Sequence, residues 1–351
     1  MTARRSGAVA SFGGRIATGL LDVTSDVTAL DSTGWWAVRI TYEGDALCLR
    51  FADVRDGVPV GGPWCGPSTD SWVSSLSSGQ YRNAVDEIRE LIAAGSVYQV
   101  NVCRVLTAAL PEARTAGDVT GLHRLLLQGN PAPYVGVIRA SASEHPALPR
   151  VGIEVATASP ELYLGRDGSR VRSRPIKGTA RAAGGLSPKD EAENIMIVDL
   201  VRNDLGVVCR TGSVTTPELL VEESHPGLVH LVSTVAGTLR PEAGWSALVN
   251  ASFPPGSVTG APKSSAVRII GALEPVERGP YCGAIGWVDA DRQVGELAVG
   301  IRTFWIEDDM LHFGTGAGIT WGSDPVGEWD ETEVKAAHLL DVAAGTWPPH
   351  R

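Results

Sequence analysis

The sequence lacks the features that mark several broad classes of protein. It has no long basic run and carries a formal net charge of -10, which argues against binding to nucleic acid. It has no run of about 18 apolar residues, so no membrane-spanning helix is expected. The apolar stretch near the N-terminus is broken at Gly13, Gly14 and Arg15, which argues against a signal peptide.

Cysteine is scarce and scattered. The five cysteines form no CxxC pair and are odd in number, which is typical of reduced thiols in a cytosolic protein rather than of a disulfide framework. They are Cys48, Cys65, Cys103, Cys209 and Cys282. We therefore expect a cytoplasmic location, with no membrane partner.

The sequence indicates a single domain over residues 1–351 that contains both helices and strands. It is 43% hydrophobic and 20% charged, enough for a substantial core. Residues 1–75 alternate as strands do, and the later strands come in blocks of two or three between single helices, which favours α+β over regular βαβ alternation. The helical patterns cover residues 80–97, 116–129, 187–206, 261–274 and 324–345. The later strand patterns cover residues 97–110, 134–140, 281–290, 295–307 and 310–322.

Two acidic pairs lie on predicted helices. Asp190 and Glu193 are three residues apart, as are Glu328 and Glu331, so each pair shares one helix face. If the two faces converge, their oxygen atoms suit Mg²⁺ better than Zn²⁺, because no Cys or His cluster accompanies them. The same spacing also fits two solvated helix faces.

Glycine-rich turns and two isolated basic residues supply further candidates. Thr259 precedes a helix in "FPPGSVTGAPK", and Gly316 and Gly318 lie in "GTGAGI". Backbone N–H groups in such turns bind carboxylates or phosphates, although a tight structural turn has the same composition. His230, between apolar residues, fits a packed core position, and Arg302 at the end of an apolar strand requires an anion.

One lysine lies in a turn-rich, apolar segment, "RPIKGT". Pro175 restricts the backbone before Lys177, Gly178 frees it afterwards, and Thr179 can cap the next segment of the chain. This arrangement orients the Lys177 side chain. The lysine is then either a surface charge or a nucleophile.

Eight segments in this order resemble those of the chorismate-utilising enzymes. These enzymes include anthranilate synthase component I, aminodeoxychorismate synthase component I, and the isochorismate and salicylate synthases. The segments are "SPELYL", "RPIKGT", "AENIMIVDLVRNDLG", "HLVSTVAGTL", "FPPGSVTGAPK", "YCGAIG", "AVGIRT" and "GTGAGITWGSDPVGEWDETEVKA". The resemblance implies a four-layer α/β/β/α fold, with a catalytic core over residues 81–340 and a shortened, β-rich N-terminal portion over residues 1–75.

The resemblance also implies a Mg²⁺ site. Glu193 and Glu331 match the direct ligands, and Asp190 and Glu328 match neighbours that act through water. Because Mg²⁺ keeps several water ligands, few protein ligands are needed.

The other matched residues imply a chorismate site. The pocket for the substrate carboxylates is matched by Arg302, Gly316, Gly318, Lys335 and Tyr281. His230 matches a histidine near the ring and the leaving hydroxyl, and Thr259 lies in the segment that closes over the substrate. Glu161 matches the general acid on the ring hydroxyl, a role that burial supports by raising a carboxyl pKa.

Lys177 indicates which product forms. "PIKGT" is similar to aminodeoxychorismate synthases, in which the lysine attacks ring carbon 2 and ammonia then enters at carbon 4. Anthranilate synthases resemble "PIAGT" instead. At Gln99, isochorismate and salicylate synthases carry a lysine that activates water, and glutamine is a poor base, so ammonia is the expected nucleophile.

The resemblance therefore predicts Mg²⁺-dependent amination of chorismate to 4-amino-4-deoxychorismate, for 4-aminobenzoate and folate or for a specialised metabolite. None of the cysteines lies in a GxCxG elbow, so we expect ammonia from a separate glutamine amidotransferase subunit. The alternatives are anthranilate synthase component I and a non-catalytic chorismate-binding relative.

Overall fold

The computed structural model describes residues 7–111, 118–180, 185–186, 188–225 and 228–346. The helices of these residues are α1 (Ser78–Ala93), α2 (Val119–Gly129), α3 (Pro188–Gly206), α4 (Trp245–Ser252), α5 (Lys263–Leu273) and α6 (Pro325–Ala344). The first nine strands are β1 (Val9–Phe12), β2 (Arg15–Thr24), β3 (Trp35–Ile40), β4 (Ala46–Asp56), β5 (Val73–Ser74), β6 (Gln99–Ala109), β7 (Tyr134–Ala140), β8 (Ile153–Ser159) and β9 (Leu162–Asp167). The later strands are β10 (Arg170–Arg174), β11 (Ile176–Ala180), β12 (Thr215–His225), β13 (Leu228–Thr238), β14 (Gly260–Ala261), β15 (Ala284–Asp289), β16 (Val294–Val299), β17 (Thr303–Glu307) and β18 (Met310–Ile319).

These strands form one continuous antiparallel sheet with two lobes. In the first lobe, β5 and β14 pair with β6, and the pairing continues through β18, β17, β8, β7 and β1. In the second lobe it runs from β2 through β4, β3, β15, β16, β9 and β10 to β13, which also pairs with β11 and β12. The pairing of β1 with β2 joins the lobes.

Helices cover the lobes on separate sides, which gives the predicted α+β fold with its α/β/β/α layers. α1, α2, α5 and α6 contact the first lobe, and α3 contacts the second lobe and α4. One hydrophobic core holds buried residues from both lobes, such as Val102 of β6 and Leu164 of β9. A smaller core, which includes Leu122 and Leu339, lies between the first lobe and the helices α2 and α6.

The five predicted helices are confirmed by the structure, and local caps explain their bounds. α1 begins with a capping box in which Ser77 and Gln80 satisfy each other's backbone N–H groups. α6 begins at Pro325 after the side chain of Asp324 accepts a hydrogen bond from the Gly327 N–H, and it ends at Gly345 in the left-handed conformation. No helix in the described ranges is long and apolar enough to cross a membrane.

The local predictions were incomplete in three places. The sequence pattern missed α4, and it missed the strands β8 to β14. It also treated residues 295–307 as one strand, which the structure divides into β16 and β17. The division has a tertiary cause, because β16 pairs with strands of the second lobe and β17 with strands of the first. Arg302 therefore lies at the crossing between the lobes rather than at a strand end, and its φ of 51° is in the left-handed region.

Candidate functional site

Lys177 lies where the two lobes meet. It belongs to β11 in the second lobe, and its Nζ donates a 3.0 Å hydrogen bond to the carbonyl oxygen of Ser257, just before β14. The same nitrogen is 3.4 Å from the position that a Cβ atom would take at Gly318 in the first lobe. Glycine at position 318 therefore leaves room for the amine and the side chain of Gln99, whose Nε2 is 2.2 Å from that position.

The surroundings of Lys177 favour its neutral form. Burial lowers the pKa of Lys177 and is the largest influence on it. The carboxylates of Glu193 and Glu161 raise this pKa by less, so the net direction is downward. A lowered lysine pKa increases the fraction of neutral amine, which is the nucleophilic form.

Glu161 is a buried carboxyl group beside Lys177. Its residue is only 3% exposed, and burial raises its pKa to about 7, against smaller lowering effects from the Ser257 hydroxyl and from Lys177. Ser257 thus contacts both groups, since its carbonyl oxygen accepts from Lys177 and its hydroxyl bonds to Glu161. A carboxyl group with a pKa near 7 can donate a proton near neutral pH.

The two acidic helix faces converge on one lysine. Lys189 Nζ lies 3.7 Å from Glu193 Oε1 on α3 and 3.3 Å from Glu328 Oε1 on α6. Burial raises the pKa of Glu193, the ammonium groups of Lys177 and Lys189 lower it by less, and Glu328 and Asp190 add repulsion that raises it. The interpretation of these faces as solvated is therefore wrong for Glu193 and Glu328, whose side chains are 14% and 6% exposed.

The other two acidic residues have different neighbours. Glu331 Oε1 lies 2.6 Å from Lys335 Nζ, which also donates a 3.0 Å hydrogen bond to the Gly316 carbonyl oxygen. Burial raises the pKa of Glu331, but the nearby lysine ammonium groups, chiefly that of Lys335, outweigh burial and lower it. Asp190 packs against Gly178, where a Cβ would lie 2.8 Å from the Asp190 Cβ.

The two carboxylates of Glu193 and Glu328 are donors of the type that Mg²⁺ prefers. Glu193 and Glu328 bring hard oxygen donors from two helices to a single cationic nitrogen, so the space between them already suits positive charge. Within the described ranges, no group of three or more His, Cys, Asp or Glu side chains is close enough to hold a metal ion. Two carboxylates suffice for Mg²⁺ when water and substrate oxygens complete its coordination.

Arg302 presents a cation that has no counter-charge among the residues that the structure describes. Its side chain is partly buried, and burial lowers its pKa. No acceptor in the described part of the chain pairs with its guanidinium group, while its backbone carbonyl accepts from the Ala158 N–H. An unpaired, partly buried arginine is suited to binding an anionic ligand.

The remaining predicted residues surround this centre at different distances. His230 is buried on β13 opposite Thr179, two residues from Lys177 on β11. The buried Thr259 hydroxyl donates to the Pro255 carbonyl oxygen, in the turn that carries Ser257. Tyr281 packs on Gly314, which lies four residues before Gly318 on β18, so it is not beside the Lys177 amine.

Sequence reasoning missed two contacts of the site. The segment "FPPGSVTGAPK" does not distinguish Ser257 from its neighbours, and the acidic spacing that indicates Asp190 does not indicate Lys189 beside it. The rarity of lysine was an available signal, since Lys177, Lys189, Lys263 and Lys335 are the only lysines of the chain. The Oε1 atom of Gln99 is buried and has no hydrogen-bond partner among the described residues.

A family model and individual relatives of known name both match most of the chain. The family model for chorismate binding enzymes matches residues 65–341, and so begins before residue 81, the predicted start of the core. Anthranilate synthase component 1 of Saccharolobus solfataricus is 35% identical over 277 residues, which cover 76% of this chain and 62% of that protein. Aminodeoxychorismate synthase component 1 of Escherichia coli is 35% identical over 284 residues, which cover 78% of this chain and 59% of that protein.

A solved structure agrees on the fold. The menaquinone-specific isochorismate synthase of Escherichia coli superposes with a TM-score of 0.76 over 98% of this chain and 90% of that chain, at 16% identity. At this identity the likeness shows the fold alone. The matched part of the chain spans about three-fifths of the length of the curated relatives named above.

Proposed function

The chain belongs to the family of chorismate-binding enzymes, and from this premise we propose that it aminates chorismate with ammonia to give 4-amino-4-deoxychorismate. The position of Lys177 carries the proposal. Its amine has a lowered pKa, lies between the lobes and is close to Glu161, which has a pKa of about 7. A nucleophile and a proton donor therefore lie side by side in one site.

The chemistry divides into two substitutions. The neutral amine of Lys177 attacks carbon 2 of the ring, the double bonds shift, and the carbon 4 hydroxyl takes a proton from Glu161 and leaves as water. Ammonia then attacks carbon 4, the double bonds shift back, and the bond from carbon 2 to Lys177 breaks. After proton transfers, the lysine is neutral again, and the net change replaces hydroxyl by amine.

Binding rests on charge around these two residues. Arg302 has no protein anion among the described residues and is assigned to one substrate carboxylate, with the backbone of Gly316 and Gly318. Lys335, held at the Gly316 carbonyl oxygen, adds a second cation. We assign His230 to the ring side of the pocket, Thr259 to the segment that closes over the substrate, and Tyr281 to the pocket for the substrate carboxylates.

We assign the Mg²⁺ site to the two acidic helix faces. Glu193, a predicted direct ligand, and Glu328, a predicted neighbour, are the pair that meets at Lys189. Glu331, the second predicted direct ligand, pairs with Lys335 instead. Asp190 stays a predicted neighbour that acts through water. When bound there, Mg²⁺ would neutralise a carboxylate of chorismate and so support the loss of the hydroxyl.

The source of ammonia belongs to the same proposal. No cysteine of the sequence lies in a glutaminase-type elbow, and two relatives carry the name component 1. Both points support a separate glutamine amidotransferase subunit. We also propose a cytoplasmic site of action and a 4-aminobenzoate route, which follow from the proposed product.

Anthranilate synthase component I is the second candidate, because relatives of both kinds are equally similar at 35% identity. Product analysis separates the candidates. The purified chain receives chorismate, MgCl₂ and ammonium chloride at mildly alkaline pH, with and without 4-amino-4-deoxychorismate lyase. We expect 4-aminobenzoate only when the lyase is present. Anthranilate without lyase would assign the chain to the second candidate, and unchanged chorismate would indicate a non-catalytic relative.

A further inference from the structure

We propose that Lys189 is an internal counter-cation of the acidic site, and that a divalent cation binds between Glu193 and Glu328 by displacing it. This inference rests on the proposed Mg²⁺ site and adds a residue to it. It assigns to Lys189 a role in setting metal affinity that is separate from the chemistry of Lys177.

The geometry of the three side chains supports the proposal. Lys189 lies in the first turn of α3 and reaches the carboxylates of both helices, 3.7 Å from Glu193 and 3.3 Å from Glu328. It thus connects the same two oxygen donors that a metal ion would connect. An ammonium group and a divalent cation cannot share that position, since both are positively charged.

Exposure indicates which of the partners can move. The side chain of Lys189 is 46% exposed, whereas the carboxylates are largely buried. A buried carboxylate without a counter-charge is costly, so Lys189 provides one before metal binding. Because the Lys189 side chain is partly exposed, its ammonium group can move into water when a metal ion neutralises the two carboxylates instead.

The use of lysine in this chain is an independent observation. Only four of its 30 lysine and arginine residues are lysines, so arginine carries most of its positive charge. Three of the four lysines, Lys177, Lys189 and Lys335, influence the pKa of the same carboxyl group, that of Glu331. The compact, strongly hydrated ammonium group is also easier to release into water than a forked guanidinium group is.

Calorimetric titration with MgCl₂ tests the competition in the protein without substrate. We compare the wild type with Lys189→Gln and with Arg202→Gln, a control that removes one positive charge from an exposed pair on the same helix. We expect Lys189→Gln to bind Mg²⁺ about threefold to fivefold more tightly, as for loss of a competing, partly exposed ion pair. The Arg202→Gln control should bind with nearly the wild-type affinity.

Chemical labelling provides a readout in the wild type. Brief acetylation with acetic anhydride at fixed pH, followed by peptide mass spectrometry, reports the reactivity of each lysine with and without MgCl₂. We expect Mg²⁺ to increase acetylation of Lys189 and to leave Lys263, paired with Asp204 at 2.8 Å, unchanged.

The outcomes separate this inference from the proposed metal site. Unchanged or weaker Mg²⁺ binding by Lys189→Gln, with no rise in Lys189 labelling, would overturn the displacement and leave the metal site standing. Absence of Mg²⁺ binding in every variant would overturn the metal site and this inference together. Product analysis with ammonium would still test amination at carbon 4 in that case.

Discussion

The buried carboxyl group of Glu161 makes the stability of the protein depend on pH in a direction that can be stated in advance. Burial raises the pKa of Glu161 from 4.5 to about 7 in the folded chain. The folded state therefore favours the protonated carboxyl group. Its stabilising contribution is fully present below pH 4.5 and is lost as the pH rises through 7.

The magnitude is set by the two pKa values. One pKa unit corresponds to about 1.4 kcal/mol, so the difference between 4.5 and 7 corresponds to about 3 kcal/mol of unfolding free energy. Glu161→Gln keeps the shape of the side chain and cannot ionise. The wild type should therefore lose about 2–3 kcal/mol relative to this variant between pH 5 and pH 8.5.

Urea unfolding followed by circular dichroism at pH 5 and pH 8.5 measures this difference. Glu242→Gln, at an exposed glutamate whose side chain is 71% accessible, is the matched control and should follow the wild type. If Glu161→Gln and the wild type lose the same free energy over this range, Glu161 does not titrate near 7 and is not poised as the general acid.

Three further predictions concern substrate, space and metal. Arg302→Met should raise the dissociation constant for chorismate about 10- to 100-fold, as for loss of a charge-assisted hydrogen bond, without lowering the unfolding free energy. Equilibrium binding measures the first effect, and urea unfolding measures the second. An unchanged affinity for chorismate would show that Arg302 does not belong to the pocket. Gly318→Ala should place a methyl group against the Gln99 amide and lower the unfolding free energy by about 1–3 kcal/mol. It should also slow amination strongly, because Lys177 lies beside the same position. A wild-type rate in a steady-state assay would contradict this close packing around Lys177. Glu331→Ala should weaken the dependence of the rate on Mg²⁺ concentration, and a wild-type Mg²⁺ response would contradict its place near the metal.

The sequence predicted those parts of the fold whose causes are local. α1 and α6 are long, periodic and capped by residues within three positions of their ends, so periodicity and caps suffice. α4 has eight residues, and the carboxylate of Asp31 accepts from the N–H groups of Trp245 and Ser246 at its start. Asp31 and Trp245 are 214 positions apart in the chain, so no local pattern predicts this cap.

The candidate site shows the same limit. Ordered motifs pointed to Lys177 and Glu161, because their segments resemble a known family. The contacts of Lys177 with Ser257 and of Lys189 with Glu328 join residues 80 and 139 positions apart, so only the fold reveals them. The left-handed backbone at Arg302 likewise results from the crossing between lobes, which an apolar run in the sequence does not show.

The central claim is that Lys177 attacks the ring, and the most direct test is the mass of the intact protein. The chain is incubated with chorismate and MgCl₂ in the absence of ammonia, quenched with acid and examined by mass spectrometry, beside Lys177→Ala. We expect a wild-type adduct with the mass of one chorismate less one water, located on the peptide that contains Lys177 and absent from the variant. Amination of chorismate at wild-type rate by Lys177→Ala, or an adduct on another residue, would contradict the account.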